Sequence, residues 1–413
     1  QIATDEPQSV TSAGAVVTLE KVTYGKEHRF VHGSLWQRLR ARLPEKWFGK
    51  SGAVMLTHRT TNDVAVAWMV WKGSSVTNVA MLPYFSSYIV VNGRDELLQI
   101  TRMAALHRIG KEVLDARELV LPRQGKSVRL RLYDFATNSH RLPVGEFKIS
   151  NPSRKDPLEW KPEQLPIRRT GGNVEFTLSQ FTAGTEVRAD RRLLTALNKL
   201  TFQIAENGQR TTNWQLRSIY ASDALGNQNV YGVGSYPDRN GDESWEGYWL
   251  LWPDEPAWKL RLEFVRRGGF APDERWLVEG IPVPGRDSFT PKTFQTNLQG
   301  VLLVVRGISD AQGLLPDGQM SVNATSNVLD MKWSPSREGT RVSLLEVKDE
   351  SGQKLVPAGS VGGDHGQIGY RLNIASNVHS VNALFAVHRN RVVEFLAKPE
   401  LISTNSSSAR GGN

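Results

Sequence analysis

Apolar and polar residues alternate with a period of two along most of this chain, as in VTLEKVTYG at 17–25, VRLRLYDF at 128–135, VEFTLSQF at 174–181, KLRLEF at 259–264, VSLLEV at 342–347 and VNALFAVH at 381–388. A two-residue period puts successive side chains on opposite faces of a strand, so these stretches are expected to be half-buried β-strands. Turn pairs such as Asn92-Gly93, Asn207-Gly208, Asn240-Gly241 and Asp317-Gly318 cut the chain into short antiparallel segments. The predicted class is all-β.

The pattern repeats. KSVRLRLYDFATNSHRLPVGEFKISNP at 126–152 is echoed by AWKLRLEFVRRGGFAPDERWLVEGIPV at 257–283. Three units emerge, each opening on an apolar strand that ends at glycine (17–25, 174–184, 300–307) and closing on paired strands (128–152, 258–284, 381–399). The second and third also share a strand running into a D-x-x-G turn, at Asp223 and Asp349, an offset of 126 residues. This spacing resembles immunoglobulin-like or fibronectin-like sandwich arrays, a likeness of architecture that implies no activity.

The expected organisation is three tandem antiparallel β-sandwich domains, at 16–160, 161–288 and 289–402, between polar tails at 1–15 and 403–413. Their joints are the Pro-rich segments 151–166 and 281–292. The first unit is longer: first strands lie 159 residues apart (Gly25 to Gly184) but last hairpins only 130 (Leu130 to Leu260), leaving about 29 extra residues. GSLWQRLRARLPEKWFGKSG at 33–52 fits that insertion as a short helix, with Ser34 as cap and Pro44 as stop. A second helix is predicted over 188–200, capped by Asp190, with Leu193, Leu194, Leu197 and Leu200 on one face.

Composition narrows the chemistry. The 413 residues contain no cysteine, which excludes disulfides, thiolate metal sites and cysteine nucleophiles. No run nears the roughly 18 apolar residues of a membrane-spanning helix; the longest, VAVAWMVW at 64–71, reads as a buried strand. A start at Gln1 accords with a removed export leader or a trimmed chain, and the expected location is extracytoplasmic: periplasm, cell surface or medium. The formal charge of +9 favours anionic partners, but without a basic stripe nucleic acid is not expected.

Candidate sites are few. Trp245, Tyr248, Trp249 and Trp252 sit in an aromatic-rich stretch suited to stacking on sugars. Asp238, Asn240 and Asp242 space hard oxygens as a Ca²⁺ loop would, although the glycine and glutamate of an EF-hand are missing. His28 and His32, four apart, could share a face with a metal. Trp36, Arg38, Arg40, Arg42 and Trp47 give the helical insertion a basic, amphipathic character suited to an anionic surface or acidic partner. No G-x-S-x-G, P-loop, H-E-x-x-H or dinucleotide fingerprint occurs. The favoured expectation is a non-catalytic structural, adhesive or assembly module with a protein or polysaccharide partner, or a second copy of itself. The alternatives are carbohydrate binding through the tryptophans, and a glycoside hydrolase with carboxylates from different domains.

Overall fold

The computed structural model describes residues 7–12, 15–41, 53–73, 87–99, 103–133, 145–151, 159–187, 192–232, 235–237, 241–247, 251–284, 292–310, 315, 327–335, 339–362 and 366–405. Over these residues the chain is nearly all β, as the alternation predicts.

The strands preceding the first Pro-rich joint are β1 (Gln8–Ser12), β2 (Ala15–His32), β3 (Val54–Gly73), β4 (Ser87–Asn92), β5 (Asp95–Gln99), β6 (Met103–Ile109), β7 (Glu112–Leu119), β8 (Ser127–Tyr133) and β9 (Gly145–Ser150), with the helix α1 (Leu35–Arg40) between β2 and β3. Next come β10 (Ile167–Gly171), β11 (Val174–Val187), β12 (Arg192–Glu206), β13 (Gln209–Arg210), β14 (Trp214–Asp223), β15 (Gln228–Gly232), β16 (Tyr236–Pro237), β17 (Glu243–Gly247), β18 (Trp258–Arg266) and β19 (Arg275–Pro282). The last stretch carries β20 (Phe294–Leu298), β21 (Val301–Ile308), β22 (Val328–Ser334), β23 (Thr340–Asp349), β24 (Lys354–Leu355), β25 (Pro357–Gly362), β26 (Gln367–Leu372), β27 (Ser380–Arg389), β28 (Arg391–Ala397) and β29 (Glu400–Asn405).

The chain forms two compact units. Unit 1 comprises Gln1–Arg210, Leu216–Leu262 and Val393–Asn413; unit 2 comprises Thr211–Gln215 and Glu263–Val392. Within unit 1 a five-stranded sheet runs β1-β2-β3-β7-β6, and an eleven-stranded sheet follows the main path β10-β11-β12-β5-β4-β8-β9. Strands from either side of the joint at 151–166 share this second sheet, through the parallel pairing of β5 with β12. Arg192 ties that pairing by a two-pronged contact to the Asp95 carboxylate, at 2.9 and 2.8 Å.

Unit 2 contains a five-stranded sheet, β20-β21-β22-β26-β25, and a four-stranded one, β19-β27-β23-β24. Side chains from both, including Leu303, Val305, Leu329, Val347, Val381 and Phe385, form one buried apolar cluster. Inward-facing positions of the two sheets thus fill a common interior, as the period-two pattern requires.

The D-x-x-G turns match as the repeat implies. Asp223 and Asp349 each fold their carboxylate onto the next backbone N–H groups, of Leu225 and Asn227 in one and of Ser351 and Gln353 in the other. Both need a residue at positive φ, supplied by Gly226 (88°) and Gly352 (86°).

The closing strands differ from expectation. In the first repeat β8 and β9 pair as a hairpin. In the other two they do not: β18 lies in the sheet β15-β14-β18-β28, mostly within unit 1, while β19 lies beside β27 in unit 2. Each four-stranded sheet therefore takes its fourth strand from the other repeat. The cause is local: only Asn390 separates β27 from β28, and a hairpin needs at least two turn residues. The chain must run straight on into a different sheet. Asn390 marks the crossing, its N–H bonded to the Gly339 carbonyl at 2.8 Å and its side-chain amide to Glu263.

The helix predicted over 188–200 is corrected to a strand, β12, with 188–191 and the Asp190 cap outside the described residues. Leu194, Asn198, Leu200, Phe202 and Ile204 are buried while Leu197 faces solvent. That is a two-residue period, which the long opposite strand β11 pairs along its length.

Candidate functional site

The long hairpin of β2 and β3 presents the most unusual surface. Val64 to Trp71 of β3 are all buried, as their continuous apolar run predicts, whereas Val54 to Asp63 are only partly covered or exposed. In the far half of the hairpin one face is covered, with His28 and Phe30 of β2 buried and Val54 and Leu56 packed against the core, while the alternate positions of β3 face outward. At its end Ser34 caps α1: the Gln37 N–H donates to the Ser34 hydroxyl at 3.3 Å, and the Ser34 N–H donates to the Gln37 side chain at 2.8 Å.

This capping box fixes how the helix is turned. With Gln37 held back against Ser34, Leu35, Trp36 and Leu39 occupy a 100° arc elsewhere on the helix. That arc faces water, with Leu35 72%, Trp36 66% and Leu39 44% exposed. Met55, on β3 near the same end, is exposed as well and accepts a contact from Arg29 Nε on its sulfur at 3.1 Å. An amphipathic helix normally buries such an arc. Of the remaining insertion residues, Arg38 is exposed, and Arg42 and Trp47 lie outside the described residues. Arg40 is the last residue of α1.

Beneath the tip the hairpin is anchored by a polar chain. Trp68 Nε1 donates to the Thr23 hydroxyl at 2.9 Å, which in turn lies 2.8 Å from His28 Nδ1. Phe30 stacks on Trp68 with centroids 5.1 Å apart. Cross-strand from His28, the His58 ring meets Glu118 at 2.8 Å. Burial lowers the His28 pKa, helped by the neighbouring His58, so its ring is neutral at pH 7. His32 instead meets Glu112, which also pairs with Lys72, each at under 3 Å (2.7 and 2.8 Å). His28 and His32 thus have separate partners, and among the described residues no group of three or more His, Asp or Glu side chains is arranged to hold a metal.

Two other candidate sets fare differently. Trp245 and Trp252 are buried, at 3% and 1% exposure, so neither offers a flat face to a sugar. Trp252 Nε1 donates inward, to the Val120 carbonyl at 2.9 Å. Tyr248 and Trp249 lie outside the described residues. Of the calcium set, Asp242 is largely buried and ion-paired with Arg210, while Asp238 and Asn240 lie outside the described residues.

Sequence reasoning missed a buried clamp in unit 1. The segment leaving β7 is held by Asn227, whose amide donates to the Leu121 carbonyl at 2.8 Å and to Asp223 at 2.7 Å, while the Leu121 N–H returns a bond at 3.2 Å. Two residues on, Arg123 grips Glu255 through Nε (3.1 Å) and Nη2 (2.9 Å). Burial, then the nearby Glu255 carboxylate, push the Asp223 pKa up to about 7. A carboxyl with a raised pKa beside a second acidic side chain suits glycoside hydrolysis in principle. Here both are at most 2% exposed and committed to internal partners, leaving no room for a sugar. The sequence marked Asp223 as a turn residue, but nothing in it pointed to Arg123 or Glu255 as partners.

No protein-family model matches the chain, and no curated protein matches it.

Proposed function

We propose that this is a non-catalytic, exported β-protein acting as an assembly module, which joins another chain by strand addition at an open sheet edge. The observation that supports this reading is the contrast between two edges of the eleven-stranded sheet. At β9 the edge is closed: the Gln8 side chain imitates a backbone, accepting from Lys148 N–H at 2.8 Å and donating to Lys148 C=O at 2.7 Å. At β29 it is open. This strand pairs in parallel with β11 through Thr182 to Val187, and among the described residues it has no neighbour on its other side. Its Leu401 and Ile402 are 47% and 43% exposed, one on each face. Charged side chains, proline or a bulge, which natural proteins use to blunt such edges, are absent from ELISTN after its first residue.

An edge of that kind offers main-chain hydrogen bonds for binding and exposed apolar side chains for selectivity. The partner tested first is a second copy. Sedimentation velocity should show concentration-dependent association of the intact chain, and the double substitution Leu401→Lys, Ile402→Lys should leave it monomeric with an unchanged unfolding midpoint. Association of equal strength in the lysine variant, or a monomer throughout the accessible concentration range, would contradict the reading.

A further inference from the structure

We propose that the end of the β2–β3 hairpin docks on an anionic lipid surface, with Leu35, Trp36 and Leu39 entering the headgroup region and Arg29 and Arg38 meeting lipid phosphates. The inference is independent of the β29 edge. It rests on two observations that point the same way.

The first is the orientation of α1. Six residues are too few for a helix to persist on its own, so α1 exists because the hairpin and the Ser34–Gln37 box hold it. That support turns the apolar arc outward and the polar Gln37 inward. An outward apolar face specified by its own cap is a built feature. A tryptophan and two leucines at such a tip match the side chains that partition into the bilayer interface, where an indole finds both an apolar and a wet environment.

The second is charge. α1 has no acidic residue in its first turn. From His28 to Pro44 the sequence holds four arginines and no carboxylate. Arg29 and Arg38 are exposed, and their long stems allow the guanidinium to reach phosphate while the rings and leucines sit deeper. The same charge argues against a second copy of this tip as occupant, since like charges would face one another. A lipid surface needs no complementary groove, only a negative potential and a soft apolar layer, and this tip supplies the counterpart of both.

The test is flotation of the intact protein with vesicles of phosphatidylcholine alone and of phosphatidylcholine mixed with phosphatidylglycerol. Binding is expected only to the mixed vesicles, weakening as salt rises. Because the side chains are exposed, Leu35→Ser with Trp36→Ser should leave the unfolding midpoint unchanged while reducing binding by about tenfold or more. Arg38→Glu should reduce it by at least roughly fivefold. Equal binding by the serine variant, or no binding to mixed vesicles by the parent, would overturn the proposal. If the tip variants instead lose binding to soluble poly-glutamate while vesicle binding is absent throughout, the surface belongs to an acidic protein and the lipid assignment is wrong.

Discussion

Replacing Glu255 by alanine should lower the stability of the protein by roughly 3–5 kcal/mol, read as a shift in the urea midpoint at constant slope. Glu255 is 1% exposed, and Arg123 approaches its carboxylate with two guanidinium nitrogens. Removing the acid leaves a largely buried guanidinium without that carboxylate, and the cost is mainly that of the stranded charge. The double variant Arg123→Met, Glu255→Leu should recover much of the loss, because apolar groups of similar volume carry no desolvation penalty.

The same clamp sets a pH dependence. Asp223 has a folded pKa of about 7 against an ordinary value of 3.8, so between those limits the folded state holds a proton that the unfolded state has released. Stability is therefore highest below about pH 4 with respect to this group and falls as pH rises towards 7, by a few kcal/mol in all. In Glu255→Ala the slope over this window should be shallower, since the neighbouring carboxylate is the second contributor to the shift after burial. Urea titrations at a series of pH values between 4 and 8 measure both slopes; equal slopes in parent and variant would mean the two carboxylates do not interact.

The second large effect is expected at Glu263, in unit 2. Its Oε1 accepts from Arg341 Nε at 2.9 Å and Nη2 at 2.6 Å, and also from the Asn390 amide. These three bonds tie β18, β23 and the single residue between β27 and β28. Glu263→Ala should cost about 2–3 kcal/mol, below the value for Glu255 because Arg341 is 30% exposed and water compensates it in part. Glu263→Gln keeps an acceptor oxygen for Asn390 but loses the charge opposite Arg341, so its loss should be smaller. Identical losses for the two substitutions would show that the charge contributes nothing.

How much of this was legible in the sequence depended on how local the cause is. Period-two runs, the D-x-x-G turns and the Ser34 cap are decided within a few residues, and each appears where the residues place it. Leu194 and Leu200 fit a helical face and a strand alternation alike, whereas Leu193 and Leu197 fit only the helical face and lie on the less buried side of the strand. Pairing with β11, a partner lying earlier in the chain, settled the matter. The tryptophans at 245 and 252 carried a composition common to sugar platforms and cores, and only the tertiary fold distinguishes the two. Partners more than a hundred residues apart, such as Arg123 with Glu255 or Asn390 with Glu263, have no local signature. The strand crossing did have one that composition obscured: HRNRVVEF offers a single residue, Asn390, where a hairpin would need a turn.

That crossing is the central structural claim, since it decides which segments complete each unit. The chain's lack of cysteine makes it directly testable. Leu277 of β19 and Leu384 of β27 are register partners, and opposed strand residues lie within the Cα separation a disulfide spans. In the double variant Leu277→Cys, Leu384→Cys, peptide mapping after air oxidation should find the 277–384 disulfide in nearly every molecule, within monomers. Free thiols under the same conditions, or a bond formed only between chains, would mean that β19 does not pair with β27 in its own chain.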